Sequence, residues 1–234
     1  MLGLSRFSVS RSRAAGRLAA RAGVARGFTL LESMMALVII GVGILAFVDA
    51  QSAFTTSNNW SSQAATGMLL ANEIREMTRR LPRHDPVTGV YLEGTAPNAV
   101  LRGWGRETGE VTPQDLDDLD DLDGVTFGTG GTFSGPIDAF GAVIPETDQS
   151  GVVRMDNGQP VPMVGWKQIV TVEKVDPFNF STVRADAYAQ AATAQLPNMG
   201  VDQFPLRVTV VVQYTAPGTV ETQEITRMTW VVPP

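Results

Sequence analysis

The sequence predicts an α+β fold in which one long N-terminal helix packs on a C-terminal antiparallel sheet. Three observations carry this expectation. An unbroken apolar run from Phe28 to Val48 passes into an amphipathic stretch that reaches Arg80. The stretch from His84 to Pro162 is dense in glycine and proline and reads as loop. Beyond it, three segments alternate apolar and polar residues as half-buried strands do.

The leader, residues 1–27, carries Arg6, Arg11, Arg13, Arg17, Arg21 and Arg26 and no acid. Its long Ala/Arg-rich character also fits an organelle transit peptide. Residues 28–48 form the apolar half-helix. Roughly twenty residues of this kind span a hydrocarbon core. Only Glu32 is charged among them, and a carboxylate in lipid calls for a partner. Basic residues before the run place the N-terminus on the cytoplasmic side and the C-terminal bulk across the membrane.

Residues 49–81 form the amphipathic half-helix. Asp49, Gln51, Thr55, Asn58 and Asn59 change its character. Trp60, Ala64, Met68, Ala71, Ile74 and Met77 recur three or four apart as one apolar face. Glu73, Arg75, Glu76, Arg79 and Arg80 take the opposite face, and Leu81-Pro82 ends the helix. Gly41 and Gly43 interrupt the apolar half, which reads as close packing between membrane helices.

Residues 82–234 make the exported domain. Asp156-Asn157-Gly158 between Val152-Val153 and Val161-Pro162-Met163-Val164 signals a hairpin, with proline demoting the second run to an edge. Trp166–Val175, Leu206–Tyr214 and Glu224–Val232 are the strands. Val208, Val210, Val212 and Tyr214 share one face of the second strand. Thr226, Met228, Trp230 and Val232 share one face of the third. Ala216-Pro217-Gly218 turns between these two. Ser181 to Gln195 is Ala-rich and reads as a short helix or an excursion.

The block Gly27-Phe28-Thr29-Leu30-Leu31-Glu32 ahead of the apolar run resembles the class III signal of type IV pilins and type II secretion pseudopilins. Its continuation, Ser33-Met34-Met35-Ala36-Leu37-Val38-Ile39-Ile40-Gly41-Val42-Gly43-Ile44-Leu45, resembles PilV-type minor pilins most closely. The resemblance implies a pilin-like α+β architecture and a non-catalytic minor pilin of a type IV pilus. It implies cleavage by a prepilin peptidase between Gly27 and Phe28, N-methylation of Phe28, and a role for Glu32 in subunit assembly. Glu32 would neutralise the terminal ammonium of Phe28 in a neighbouring subunit. The competing reading of Glu32 is a helix-start carboxylate favoured by the helix dipole. At Gly41 and Gly43 the resemblance implies a point of local unwinding, as the alternative to close packing.

Partners implied are other pilin or pseudopilin subunits, the peptidase and an inner-membrane assembly platform. The location implied is the bacterial inner membrane, single-pass, and then the filament. Two further readings stay open: a minor pseudopilin of a type II secretion system, and an adhesin or binding module mounted on a filament.

Composition narrows the remaining chemistry. The chain has 234 residues, 18 Lys and Arg against 24 Asp and Glu, and a net charge of −6. Loss of the leader's arginines takes the formal charge to −12, which argues against nucleic-acid binding. There is no cysteine, so disulfides, thiol nucleophiles and Cys-ligated metals are excluded. His84 is the only histidine, too few for most zinc sites and triads, and reads as a surface residue. The glycine-rich stretch after Gly124 lacks the Gly-Lys-Ser/Thr of a phosphate loop. No cofactor is expected, with calcium as the one exception. The acidic run Asp115–Asp123 makes Asp121 and Asp123 weak candidate ligands. An EF-hand loop with Gly124 in sixth place would begin at Leu119 and end at Gly130, neither a ligand. The competing reading packs Leu116, Leu119 and Leu122 inward and leaves the acids solvated. Trp60, Trp104, Trp166 and Trp230 are expected in a core or an interface rather than on a sugar platform.

Overall fold

A computed structural model describes residues 29–95, 98–148 and 150–234. Gly27, Phe28 and the leader lie outside the described residues. The chain divides into two compact units, Met1–Phe54 and Thr55–Pro234. Helix α1 covers Leu30–Thr78.

In the first unit α1 is exposed on every side. Thr29 caps its start: the Thr29 hydroxyl accepts from the Glu32 N–H at 3.3 Å, and the Thr29 carbonyl from the Ser33 N–H at 3.1 Å. Thr-x-x-Glu at a helix start is the capping-box pattern. The segment is long and apolar enough to cross a membrane. Among the described residues nothing lies within 4 Å of a Cβ built on Gly41 or Gly43. No packing among the described residues therefore requires these glycines.

In the second unit α1 buries Gly67, Leu70, Ala71, Ile74, Met77 and Thr78. Ala71, Ile74 and Met77 of the expected stripe are buried, and the stripe departs from the expectation only ahead of them. Met68 and Trp60 are 56% and 63% exposed, and Leu70 takes the place assigned to Met68. The reason lies at Gly67. A Cβ there would stand 2.7 Å from Ile225 Cγ2, so the missing side chain lets the sheet approach the helix. The contact line runs through position 67 instead of 68. The helix closes with the Thr78 hydroxyl donating to the Arg75 carbonyl (2.8 Å).

After α1, β1 (Tyr91–Glu93) and β2 (Val100–Arg102) form a small antiparallel ribbon. A single 3₁₀ turn, Asp120–Leu122, precedes β3 (Thr126–Gly128). The expected Asn-Gly hairpin joins β4 (Met155–Asp156) to β5 (Gln159–Pro160). Asn157 and Gly158 have φ of 49° and 80°, the left-handed pair that a type I′ turn needs.

The three expected strands are present as β6 (Trp166–Asp176), β8 (Leu206–Thr215) and β9 (Thr222–Val232). The main sheet is antiparallel in the order β3-β6-β8-β9, with β7 (Asn179–Val183) also on β6. Strand β7 is a finding that the sequence reading did not contain. Asp176 makes its turn, accepting from the N–H groups of Phe178 (2.8 Å) and Asn179 (3.2 Å). The Ala-rich segment after it is the excursion and not a helix, tied by a bridge between Gln190 and Met199.

Alternation along β6 and β8 buries Val170, Val172, Val208, Val210 and Val212 against Leu70, Ala71, Ile74 and Met77 of α1. Met228, Trp230 and Val232 extend this core from β9. Gln168, fully buried, ties three layers together. Its Nε2 donates to the carbonyls of Leu70 (2.8 Å) and Ile137 (3.0 Å), and its Oε1 accepts from the Ile137 N–H (2.8 Å). Trp166 is buried and Trp104 and Trp230 are half-buried, as expected. Trp60, exposed, lies in no core.

Candidate functional site

Two regions carry the residues singled out by sequence. The first is the start of α1. Glu32 sits in its first turn, three residues past the capping Thr29, with an exposed side chain on an otherwise apolar surface. Leu30 and Leu31 beside it are 82% and 69% exposed. A carboxylate in the first turn favours the helix electrostatically, since the N-terminal end carries partial positive charge. That accounts for its tolerance there but gives the side chain no counter-charge of its own. Gly27 and Phe28, the expected cleavage and methylation positions, lie outside the described residues.

The second region is the acidic segment, where the structure corrects two expectations. Leu116, Leu119 and Leu122 do pack inward. The acids, however, are not all solvated: Asp118, Asp120 and Asp121 are buried. His84 is likewise not a surface side chain. Its ring is buried, its Nδ1 lies 2.9 Å from Asp120 Oδ1, and it tilts against Trp104 at 5.8 Å. The second Asp120 oxygen accepts from the Gly105 N–H at 3.1 Å. His84 and Gly105 thus close over Asp120, with Trp104 against the His84 ring.

Asp123 does not face a shared site. Its Oδ1 accepts from the Val172 N–H (3.0 Å) and fastens the segment to β6. Of the two calcium candidates, only Asp121 belongs to a group of three close carboxylates among the described residues. Glu107, Glu110 and Asp121 each place an oxygen within 4.8 Å of the others, as do Asp117, Asp118 and Asp121. Glu107 and Glu110 were missed by sequence reading because they lie more than ten residues before Asp121 and belong to no acidic run.

The electrostatics follow from burial and like charge. Burial pushes the Asp118 carboxyl up to about 9, helped by a hydrogen bond shared with Asp120. Asp118 is therefore a neutral acid at neutral pH, while its Oδ2 meets no hydrogen-bond partner among the described residues. Burial also raises Asp121, to about 7, and the neighbouring Glu110 adds to the effect. Glu107 and Glu110 are both raised, first by burial and then by neighbouring carboxylates.

Lys174, fully buried on β6, approaches the same area from the core side. Its ammonium donates to the Asp186 carbonyl and lies 5.4 Å from the Trp104 ring. Burial lowers its pKa to about 8. An inward-facing Lys in a strand has no sequence signal, because its position in the alternation reads as apolar.

A family model described as the prokaryotic N-terminal methylation motif matches residues 24–48. The matched span contains Gly27, Phe28, Glu32 and the apolar run through Val48. The match supports a type IV pilin-like chain. No curated protein and no solved structure matches the sequence.

Proposed function

We propose that this chain is a minor pilin, a non-catalytic subunit of a type IV pilus. A prepilin peptidase cuts it after Gly27 and methylates the amino group of Phe28. The apolar half-helix holds it in the bacterial inner membrane with the N-terminus cytoplasmic and the C-terminal domain periplasmic. An inner-membrane assembly platform then moves it into a filament with other pilin subunits.

One observation carries this reading: the methylation motif at 24–48 coincides with a fully exposed apolar helix whose first turn holds Glu32. Without a partner, twenty apolar residues on all faces of a helix have no place in water. Lipid and then neighbouring helices supply that place. In such a packed environment the Glu32 carboxylate needs a cation, and the new ammonium of Phe28 on an adjacent subunit is the one that processing creates. An unpaired buried charge is strongly destabilising, so this pairing selects register during assembly.

Intact mass and N-terminal sequencing of the protein from its native membrane test the reading. A chain beginning at Phe28, one methyl heavier than its sequence, supports it. A chain that keeps the leader in cells with active prepilin peptidase overturns it.

A further inference from the structure

We propose that the loop between α1 and β3 binds calcium, with Glu107, Glu110 and Asp121 as the carboxylate ligands. The inference stands apart from the filament reading and rests on the second unit alone.

Asp121 is the anchor. It is fully buried in the 3₁₀ turn, and its Oδ2 accepts from the backbone N–H groups of Asp117 (3.1 Å) and Asp118 (3.2 Å). Those two bonds fix the plane of the carboxylate. Its other oxygen, Oδ1, is buried and meets no hydrogen-bond donor among the described residues. Buried acceptors are otherwise almost always satisfied, so an orphan calls for an explanation.

The groups brought against this carboxylate are Glu107 and Glu110, both half-buried at the surface end of the site. Glu110 Oε2 accepts from the Glu107 N–H at 2.8 Å, which holds the two glutamates side by side. Arg106, the nearest basic residue in sequence, points elsewhere, with its guanidinium 5.2 Å from the Phe133 ring. Three carboxylates are thus gathered around a buried acceptor, with the adjacent cation turned away.

The spacing suits one ion. Two oxygens bound to the same calcium at 2.3–2.6 Å stand at most about 5 Å apart. The oxygens of Glu107, Glu110 and Asp121 all lie within 4.8 Å of one another. An all-oxygen anionic set with no nitrogen or sulfur selects a hard cation. Calcium is favoured over magnesium because it accepts irregular geometry and bidentate carboxylates. Asp117 and Asp118 occupy Oδ2 through their N–H groups, so Oδ1 is the Asp121 oxygen left open to a ligand.

The test uses the full-length protein purified in detergent and stripped with EDTA. Calcium titrated into it should give one-site binding by calorimetry and raise the unfolding temperature, by mass action. The double variant Glu107→Gln/Glu110→Gln alters two partly exposed side chains and should fold. In EDTA it should melt at or above the wild-type temperature, since two like charges are gone. Its calcium affinity should fall at least about tenfold, because affinity follows ligand charge. Asp121→Asn should abolish binding, and if it fails to fold the double variant decides. The proposal is overturned if wild type shows no calcium-dependent shift or if the double variant keeps the full shift. It is also overturned if sodium chloride at matched ionic strength reproduces the shift.

Discussion

Replacing Gly67 by alanine should destabilise the second unit, although alanine is the better helix former. In a helix interior the change gains about 1 kcal/mol of propensity. Against this stands the added Cβ, which would meet Ile225 Cγ2 at 2.7 Å, Ile225 Cβ at 3.3 Å and Thr226 Cγ2 at 3.5 Å. Carbon atoms prefer about 3.5–4.0 Å, so the first contact is strongly repulsive. Ile225 has little room to yield. Its β-branched side chain is stiff at χ1. It also sits at the register shift where Val212 pairs Thr226 and Gln213 pairs Glu224, leaving Ile225 without a partner opposite. Overpacking of this kind costs about 1–3 kcal/mol, so the net loss is about 1 kcal/mol. Chemical unfolding of the full-length protein in detergent, followed by tryptophan fluorescence, measures it. In an Ile225→Ala background the clash with Cγ2 disappears and Gly67→Ala should become neutral or stabilising. A double-mutant cycle would then show a coupling of about 1 kcal/mol or more. Stabilisation by Gly67→Ala in the wild-type background would refute the argument, because it would mean that the helix and β9 do not depend on the missing side chain.

Three more expectations follow from named contacts. Gln168→Leu should cost about 2 kcal/mol or more in the same unfolding assay. It strands the Ile137 carbonyl and N–H in the core, at about 1–3 kcal/mol each, while the Leu70 carbonyl keeps its bond within the helix; a loss below about 1 kcal/mol would mean that the two Ile137 groups find other partners. Asp118 keeps a proton in the folded state up to about pH 9, whereas the unfolded chain releases it near 3.8. Stability in EDTA should therefore fall as pH rises between those values, and Asp118→Asn should flatten that decline; an unchanged slope would place the proton elsewhere. Glu32→Gln should leave cleavage at Gly27 and the mass of the mature chain unaltered while abolishing recovery in sheared filaments; normal recovery would remove Glu32 from assembly.

The long helix, the strands and two of the turns were legible because each depends on local pattern. Val208, Val210 and Val212 alternate as a strand facing a core, and Asn157-Gly158 has the φ values its turn type demands. The helix face was right at Ala71, Ile74 and Met77 and wrong at Met68, because Met68 and Leu70 are equally apolar and only the close approach at Gly67 separates them. Strand β7 was lost in an Ala-rich neighbourhood, although Asp176-Pro177-Phe178-Asn179 carries ordinary turn chemistry. At the start of α1 the Thr29 cap and Glu32 were both within reach of sequence, because a capping box is a local spacing.

The acidic segment shows where local pattern stops. Leucines at every third residue set one column inward, and that much was correct. Whether the other columns meet water depends on what lies over them. Here the cover comes from His84, which reaches Asp120 across 36 positions, and from Gly105, across 15. Neither reach leaves any trace in the run itself. Once covered, the acids must each be satisfied separately, and they are satisfied differently. Asp120 has a histidine and a backbone N–H, Asp118 holds its proton, and Asp123 is bonded to β6. Asp118 Oδ2 and Asp121 Oδ1 are both buried without a hydrogen-bond partner among the described residues, and Asp121 also places an oxygen within 4.8 Å of Glu107 and Glu110. Burial of so many carboxylates in one loop opposes folding unless each has a compensating partner. Compensation is complete at Asp120 and Asp123 and incomplete at Asp118 and Asp121, and of these two only Asp121 also stands with Glu107 and Glu110, which makes it the place where a cation would contribute most to the stability of the second unit.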